Sequence, residues 1–458
     1  MALDSRETRP DSRRAATSRS RVRVNELVTE AQNLLSQLIR ARSCNPPGDE
    51  AAAVAVLGAY LRRSGIDFTV YEAEPGRANL VSRIHGVGDG PSLLLLSHMD
   101  TVDADPAEWS SDPWGGMVRD GSVWGRGALD LKGQAAAQAV AVASLLRSGV
   151  AFRGDVVLAA TADEELGSRC GTRWLLDRHP EALRTDYALT HGAGDRMVLD
   201  DRVVYFCATA ERVTAELTVT ITAPAGLTML AELPNAIAEA GRLVSKVAGQ
   251  HVGDTLLEEV AVVMDALAGP GRSPGEVAAT AGSIHPALRT LLTPLTGATL
   301  VPAKIVSTSL AGRPSVCEIH FDCWLLPGRD RKEIEAVLDA AAVELPYQVA
   351  WRPIRGGSRS PTSTPLWGAI ESFVRHVDGG SLLLPLCDAG FTDSHWLRER
   401  YGTVAYGFFP MREMTTSEAA RTVHGPDERM PLSDLALQID FYRQVITSIG
   451  NSACDRQG

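Results

Sequence analysis

The sequence predicts an α/β protein: a doubly wound, mainly parallel sheet made by two segments of chain, with a smaller α+β layer inserted between them. Three observations carry that expectation. Over residues 25–210, apolar runs of strand length alternate with Ala- and Leu-rich stretches of helical spacing, the pattern of a sheet flanked by helices. Residues 211–354 read as β-α-β-β-α-β once an Ala/Pro/Gly-punctuated stretch at 250–302 is set aside, which is the order of a ferredoxin-like layer. From residue 355 to 458 the α/β pattern returns.

Residues 1–24 are rich in Arg, Ser and Asp with no apolar core segment, so they read as a disordered tail and not as a secretory leader. Leu27, Ala31, Leu34, Leu35 and Leu38 recur at helical spacing across 25–43, stopped by Pro46-Pro47. A second helix is expected over 50–63, ended by Gly65. Strands follow at 66–71 and 79–84, and Gly86, Gly88 and Gly90 turn the chain into the apolar run Leu93-Leu94-Leu95-Leu96. Residues 129–146 are an expected Ala-rich helix, 155–161 a strand, 169–178 a helix and 187–189 a short strand. In the inserted layer, strands are expected at 214–222, 305–309, 316–325 and 347–351, with helices at 234–247 and 330–344 and a helical insertion at 250–302. Arg355-Gly356-Gly357-Ser358 reads as a hinge or a turn. The last segment should hold helices at 365–376, 394–399 and 433–449 and strands at 382–385 and 403–406.

Composition narrows the function. The chain of 458 residues is 45% hydrophobic, ample for a core, and its net charge of −11 with no Lys/Arg-rich block argues against nucleic acid or an anionic membrane as partner. Seven cysteines without a Cys-x-x-Cys pair suit free thiols in a reducing compartment. No run of 18 apolar residues occurs, so no membrane span is expected. A cytoplasmic protein is the expectation.

Polar clusters fall where such a sheet places a site, since ligands sit at the carboxyl ends of the strands. Ser97-His98-Met99-Asp100 ends one strand, and positions two apart on a strand face the same way, so Asp100 can hold the His98 ring from behind. Asp130 opens the Ala-rich helix, Asp163-Glu164-Glu165 ends the strand at 155–161, and Thr190-His191-Gly192 ends the strand at 187–189. His424 lies in a Gly/Pro-broken loop. His98, Asp130, Glu165, His191 and His424 are the nitrogen and oxygen donors that zinc takes, and five of them suit two cations sharing one carboxylate. Glu164 is then left to carry a proton from water to a leaving nitrogen. Each residue also has an ordinary reading: a solvated turn for Glu164-Glu165, a helix cap for Asp130, a loop histidine for His191, and an Asp427 partner for His424.

Together, these stretches resemble the aminoacylase/carboxypeptidase/desuccinylase family of co-catalytic zinc peptidases, in particular its carboxypeptidase S-like branch. The matching motifs are Ser97-His98-Met99-Asp100-Thr101-Val102, Trp124-Gly125-Arg126-Gly127-Ala128-Leu129-Asp130-Leu131-Lys132-Gly133 and Ala162-Asp163-Glu164-Glu165-Leu166-Gly167-Ser168. Thr392-Asp393-Ser394, Tyr406-Gly407-Phe408 and His424-Gly425-Pro426-Asp427-Glu428-Arg429 match as well. The resemblance implies a zinc-exopeptidase-like catalytic domain and a lid that mediates homodimerisation. It also implies a cis peptide after Asp130 and two zinc ions bridged by Asp130, with cobalt or manganese as substitutes. In that pattern His98 completes one site, Glu165 and His424 serve the other, and Glu164 is the general base and acid.

The chain departs from the family at its recognition positions. His191 stands where the family has a glutamate ligand, Leu227 where it has a lid histidine, and Trp324 where it has a lid arginine; the family's Asn-Val-Ile-Pro is not recognisable near Ala311-Gly312-Arg313-Pro314. Trp cannot reproduce a bidentate Arg–carboxylate contact. The expected activity is therefore hydrolysis of an amide bond in a small, specialised substrate, such as a biosynthetic intermediate. Acyl transfer or amide formation on the same site, and a non-catalytic binding descendant, are the alternatives. His395 is a further candidate for substrate contact.

Overall fold

A computed structural model describes residues 12–199, 202–225, 234–248, 251–308, 313–341, 344–352 and 355–451. The chain divides into two compact units, Met1–Thr185 with Pro410–Gly458, and Asp186–Phe409. The boundaries expected at 210/211 and 354/355 both fall within the second unit.

In the first unit, strands Thr69–Glu74, Arg77–Ile84, Val156–Thr161 and Leu93–His98 lie side by side in that order. Arg77–Ile84 runs antiparallel to both of its neighbours, Thr69–Glu74 and Val156–Thr161, and Leu93–His98 runs parallel to Val156–Thr161 with His98 opposite Thr161. Val156–Thr161 and Leu93–His98 are buried at every position, which is why they open with continuous apolar runs and not alternations. Helices Glu50–Arg63, Lys132–Arg147 and Leu432–Asn451 form where the spacing predicts helices. The Ala-rich helix is buried nearly all round, and its small side chains allow close approach of its neighbours. It starts three residues later than expected, because the chain before it is an irregular loop with a cis Asp130–Leu131 peptide. Lys132 is wholly buried, and its ammonium donates to Leu38 O and Ala41 O at 2.9 and 3.0 Å, where helix Ser12–Arg40 ends.

That helix runs from Ser12 to Arg40, so residues 12–24, expected as a disordered tail, continue it backwards. The segment holds no proline or glycine to stop a helix, and polarity alone does not break one. Residues 1–11 lie outside the described residues.

The second unit holds two sheets. Tyr187–Thr190, Val404–Gly407, Arg202–Glu211 and Leu382–Asp388 are neighbours in that order, with Arg196–Leu199 paired to Arg202–Glu211. Two of these pairings are parallel and two antiparallel, so the α/β sheet is mixed. Arg202–Glu211 is a strand that the sequence reading leaves unassigned.

The second sheet is the expected ferredoxin-like layer. Val213–Ala223 pairs antiparallel with Ser315–Leu325 along its whole length and with Tyr347–Trp351 on its other side, while Ala298–Thr308 flanks Ser315–Leu325. Alternate residues Val213, Ala215, Leu217, Val219 and Ile221 share a core with Ala240 and Leu243 of helix Ala236–Val247 and Ile334 and Leu338 of helix Lys332–Ala340. The insertion at 250–302 is mostly helical, with helices Glu258–Ala268, Pro274–Ile284 and Pro286–Leu292. Its last residues instead begin strand Ala298–Thr308, which is longer than the expected 305–309. The insertion's helices pack against the other sheet: Val260, Met264, Val277 and Leu288 share a core with Val204, Phe206 and Leu384.

Candidate metal centre

Four loop segments of the first unit bring six of the seven predicted site residues together. His98, the last residue of its strand, is only 2% exposed. Its Nε2 lies 3.0 Å from Asp130 Oδ1, and its Nδ1 lies 3.1 Å from the Asp100 carbonyl and 3.4 Å from Asp100 Oδ1. A proton on Nδ1 directed at Asp100 leaves Nε2 as the ligand atom. Asp100, fully buried, also accepts the Glu164 N–H at 3.1 Å, the Glu165 N–H at 3.2 Å and Asn45 Nδ2 at 3.0 Å. One carboxylate therefore sets the His98 ring and the backbone of both glutamates, which makes Asp100 a positioning residue. Burial works against its charge, yet His98, Asn45 and the Glu164 N–H hold its pKa below the usual carboxylate value.

Asp130 presents its two oxygens in different directions. Oδ1 meets His98, and Oδ2 lies 3.1 Å from His424 Nε2. It does not cap the following helix, whose N-cap position is Leu131 with no side-chain bond. His424 Nε2 is also 3.2 Å from Glu165 Oε2. Its partners are thus Asp130 and Glu165; Asp427 instead accepts from the Ser110 N–H and hydroxyl at 2.9 and 2.8 Å. Nor are the two glutamates a solvated turn. Glu164 is 8% exposed with Oε2 4.0 Å from His98 Nε2, and Glu165 Oε1 is buried with no hydrogen-bond partner among the described residues.

The carboxylates govern the imidazoles electrostatically. Burial disfavours the His98 imidazolium, but the Asp100 and Asp130 carboxylates overcome it and hold its pKa well above the histidine norm. Hydrogen bonds to Asp130 and Glu165 raise the pKa of His424 to about 10. The cluster thus favours positive charge at two places, one on each side of Asp130.

Cation ligation fits these residues. The ligand atoms of Asp130, Glu165 and His424 lie within 4.8 Å of one another. Bonds of about 2.0–2.1 Å in a tetrahedral zinc site put neighbouring ligand atoms roughly 3.3 Å apart, close to the 3.0–3.2 Å separations here. The unpartnered Glu165 Oε1 and the mixed imidazole–carboxylate donor set point the same way.

Several supporting residues escape a reading of the sequence. Glu428 is fully buried; its Oε2 accepts Arg126 Nη1 at 2.7 Å and the Gly127 N–H at 2.9 Å, and its Oε1 accepts the Leu129 and Asp130 N–H groups at 2.7 and 3.0 Å. It lies inside the matched motif that begins at His424, which is the one signal that could have found it. Asn45, Glu50, Arg77 and Asp163 form a buried set behind the Glu164-Glu165 turn.

The remaining candidates belong to the second unit. His191 follows strand Tyr187–Thr190, partly buried, with Nδ1 3.3 Å from Thr190 Oγ1. Trp324 lies on Ser315–Leu325 opposite Thr214 and Thr299. His395 is buried, 3.8 Å from Glu211 Oε1, and Arg355 lies over the Phe391 ring. Leu227, Ala311 and Gly312 are outside the described residues.

Comparison with known proteins points to one family. The family model described as Peptidase family M20/M25/M40 matches residues 94–448. Succinyl-diaminopimelate desuccinylase of Gluconacetobacter diazotrophicus is 40% identical over 150 residues, 32% of this chain and 38% of that protein. That match spans well under half the relative's length. Aminoacylase-1 of Sus scrofa is 26% identical over 430 residues, 91% of this chain and 95% of that one. Among solved structures, the M20 family metallo-carboxypeptidase Sso-CP2 from Sulfolobus solfataricus superposes with a TM-score of 0.68 at 16% identity, over 92% of this chain and 99% of the other. At that identity the likeness is one of fold.

Proposed function

The chain belongs to peptidase family M20/M25/M40, a family of hydrolytic enzymes, and from that premise we propose that it cleaves an amide bond of a small substrate with the help of two divalent cations, zinc foremost. The observation that carries the proposal is Asp130, whose two oxygens face His98 at 3.0 Å and His424 at 3.1 Å, as a bridging ligand's would. Cations held there, when bound, lower the pKa of a water and polarise a carbonyl oxygen.

The chain's own residues supply the rest. Glu164 takes the proton of the attacking water and delivers it to the leaving nitrogen, and its burial keeps that proton from bulk solvent. Asp100 fixes the ring of His98, and Glu165 and His424 hold the other side. His191 is proposed as the fifth ligand from its place in the sequence alone. An imidazole in place of a carboxylate removes one negative charge, leaving the centre more electrophilic and its cations less tightly held. Cobalt or manganese should serve as substitutes.

Leu227 and Trp324 stand in place of polar groups with which the family grips a substrate's carbonyl and terminal carboxylate, so the substrate is proposed to be a specialised amide and not an ordinary peptide. The lid is proposed to span 211–354 with the insertion at 250–302, between catalytic segments 25–210 and 355–458. A second copy is proposed to pair along strand Ala298–Thr308. Beyond Thr299 that strand's outer edge has no partner among the described residues, and Val301, Ile305 and Val306 are exposed on it. Among the described residues no helix is long and apolar enough to cross a membrane, and the six described cysteines are free and buried; a cytoplasmic setting is proposed on the thiols.

Screening N-acyl and peptide amides with zinc-loaded protein, with and without an added amine, tests the reaction. Free acid and free amine are the expected products. A new amide formed in preference to the acid would make the chain an acyltransferase, and no turnover by a zinc-loaded chain on any amide would favour a binding descendant.

A further inference from the structure

The turn that carries Glu164 and Glu165 rests on a buried ionic set that amide cleavage itself does not use. Asp163, the residue before the turn, has φ of 65°, in the left-handed region. Its Oδ1 accepts Arg77 Nη2 and Asn45 Nδ2, both at 2.9 Å, and its Oδ2 accepts the Cys170 N–H at 3.0 Å. Its carbonyl accepts the Ser168 N–H at 2.6 Å, closing the turn. Arg77 is held by Glu50 as well, Nε to Oε2 at 2.8 Å and Nη2 to Oε1 at 2.9 Å. The Asn45 amide nitrogen that reaches Asp163 also donates to Asp100 Oδ2 at 3.0 Å. A continuous path thus runs from Arg77 through Asp163 and Asn45 to Asp100, the residue behind His98. Asn45, Glu50, Arg77 and Asp163 are all buried.

Glu50 alone balances the charge of Arg77. A second buried carboxylate is costly to desolvate, and a left-handed residue before a turn needs no carboxylate, since Asn or Gly adopts that conformation more readily. The excess charge at Asp163 therefore calls for a use, and its three side-chain acceptor bonds supply one.

We propose that Asp163 is a positioning residue: its carboxylate, braced by Arg77 and Asn45, fixes the turn that aims Glu164 and Glu165 at the metal centre. The idea rests on the roles proposed above for those two glutamates. The side chain of Asp163 touches neither of the two histidines nor Asp130 by any bond given above; it acts through the turn.

Three variants test it: Asp163→Asn, Asp163→Gly and, as a control on the ligand reading, Glu165→Ala. Asp163→Asn keeps the size and tolerates the left-handed backbone, and it leaves Arg77 balanced by Glu50, so the chain should fold. Chelator-stripped protein is titrated with zinc against a chromophoric chelator, the visible absorption of the cobalt-loaded protein is recorded, and thermal unfolding of the metal-free chain is followed. Both Asp163 variants should bind one of the two zinc ions about 10–100-fold less tightly, with an altered cobalt spectrum and the other ion within about threefold of wild type. Glu165→Ala should lose one ion. Should Asp163→Asn match wild type in zinc affinity and cobalt spectrum while Glu165→Ala loses an ion, the clamp is overturned and the ligand reading stands. Should Glu165→Ala keep both ions, the ligand reading falls and takes the clamp with it. An Asp163→Gly chain that fails to fold leaves Asp163→Asn to decide.

Discussion

Glu428 accepts the backbone N–H of Asp130 at 3.0 Å across 298 residues of sequence, so the segment that supplies His424 also sets the loop that supplies the bridging carboxylate. Each Glu428 oxygen takes two donors. A glutamine there would turn its NH2 towards one of those pairs of donors. Glu428→Gln should therefore cost about 2–3 kcal/mol of stability, the penalty of unsatisfied buried donors, and weaken zinc binding about tenfold. Urea unfolding and zinc titration check both, and a variant with wild-type stability would remove Glu428 from this role.

Glu164 carries the proton in the proposed reaction but is not needed to hold a cation. Glu164→Gln should keep wild-type metal content and lose turnover by about two to four orders of magnitude. Steady-state assays beside metal analysis test this on whichever amide proves to be a substrate. Turnover within tenfold of wild type would mean another group moves the proton.

Protons and cations compete for the same nitrogens. Asp130 and Glu165 raise His424 to about 10, and Asp100 and Asp130 hold His98 well above the histidine norm. In the metal-free chain the His424 imidazole stays charged through neutral pH. The stabilising contribution of a histidine raised in this way is complete below the unfolded value near ~6.5 and fades as pH rises through the folded value. A cation must displace those protons, so zinc affinity should climb about tenfold per pH unit for each proton released, measured between pH 6 and 8. A flat profile would show that these nitrogens are not the ligands.

The exposed edge Ala298–Thr308 makes the oligomer testable. A charge at Val306, as in Val306→Asp, should turn a dimer into a monomer in light scattering at micromolar concentration without changing zinc content. If wild-type protein is monomeric at all concentrations tested, the edge has no such partner.

Much of this was legible because the chemistry sits at element ends. The run Leu93-Leu94-Leu95-Leu96 reads as a buried strand, which places His98 and Asp100 on one face two residues apart. Asp130 was legible as a ligand candidate but not as a residue outside the helix, since the break lies in backbone geometry at Leu131. Arg202–Glu211 is not assigned from the sequence although Val203-Val204-Tyr205-Phe206-Cys207 is apolar, because the run abuts the change of pattern near 210. Helix Thr416–Thr422 carries a Thr415/Glu418 capping box, but at seven residues it is too short to show a helical period in the sequence. Asn45, Arg77 and Asp163 could not be read at all as a set, since distant segments meet only in the folded chain and no local spacing encodes them.

Zinc stoichiometry decides the central matter most directly. Metal-free protein titrated with zinc should bind two ions per chain, both retained in Glu164→Gln and reduced to one in His424→Ala. A wild-type chain that binds no zinc saturably, or a His424→Ala chain that still binds two, would contradict a two-cation centre built on Asp130.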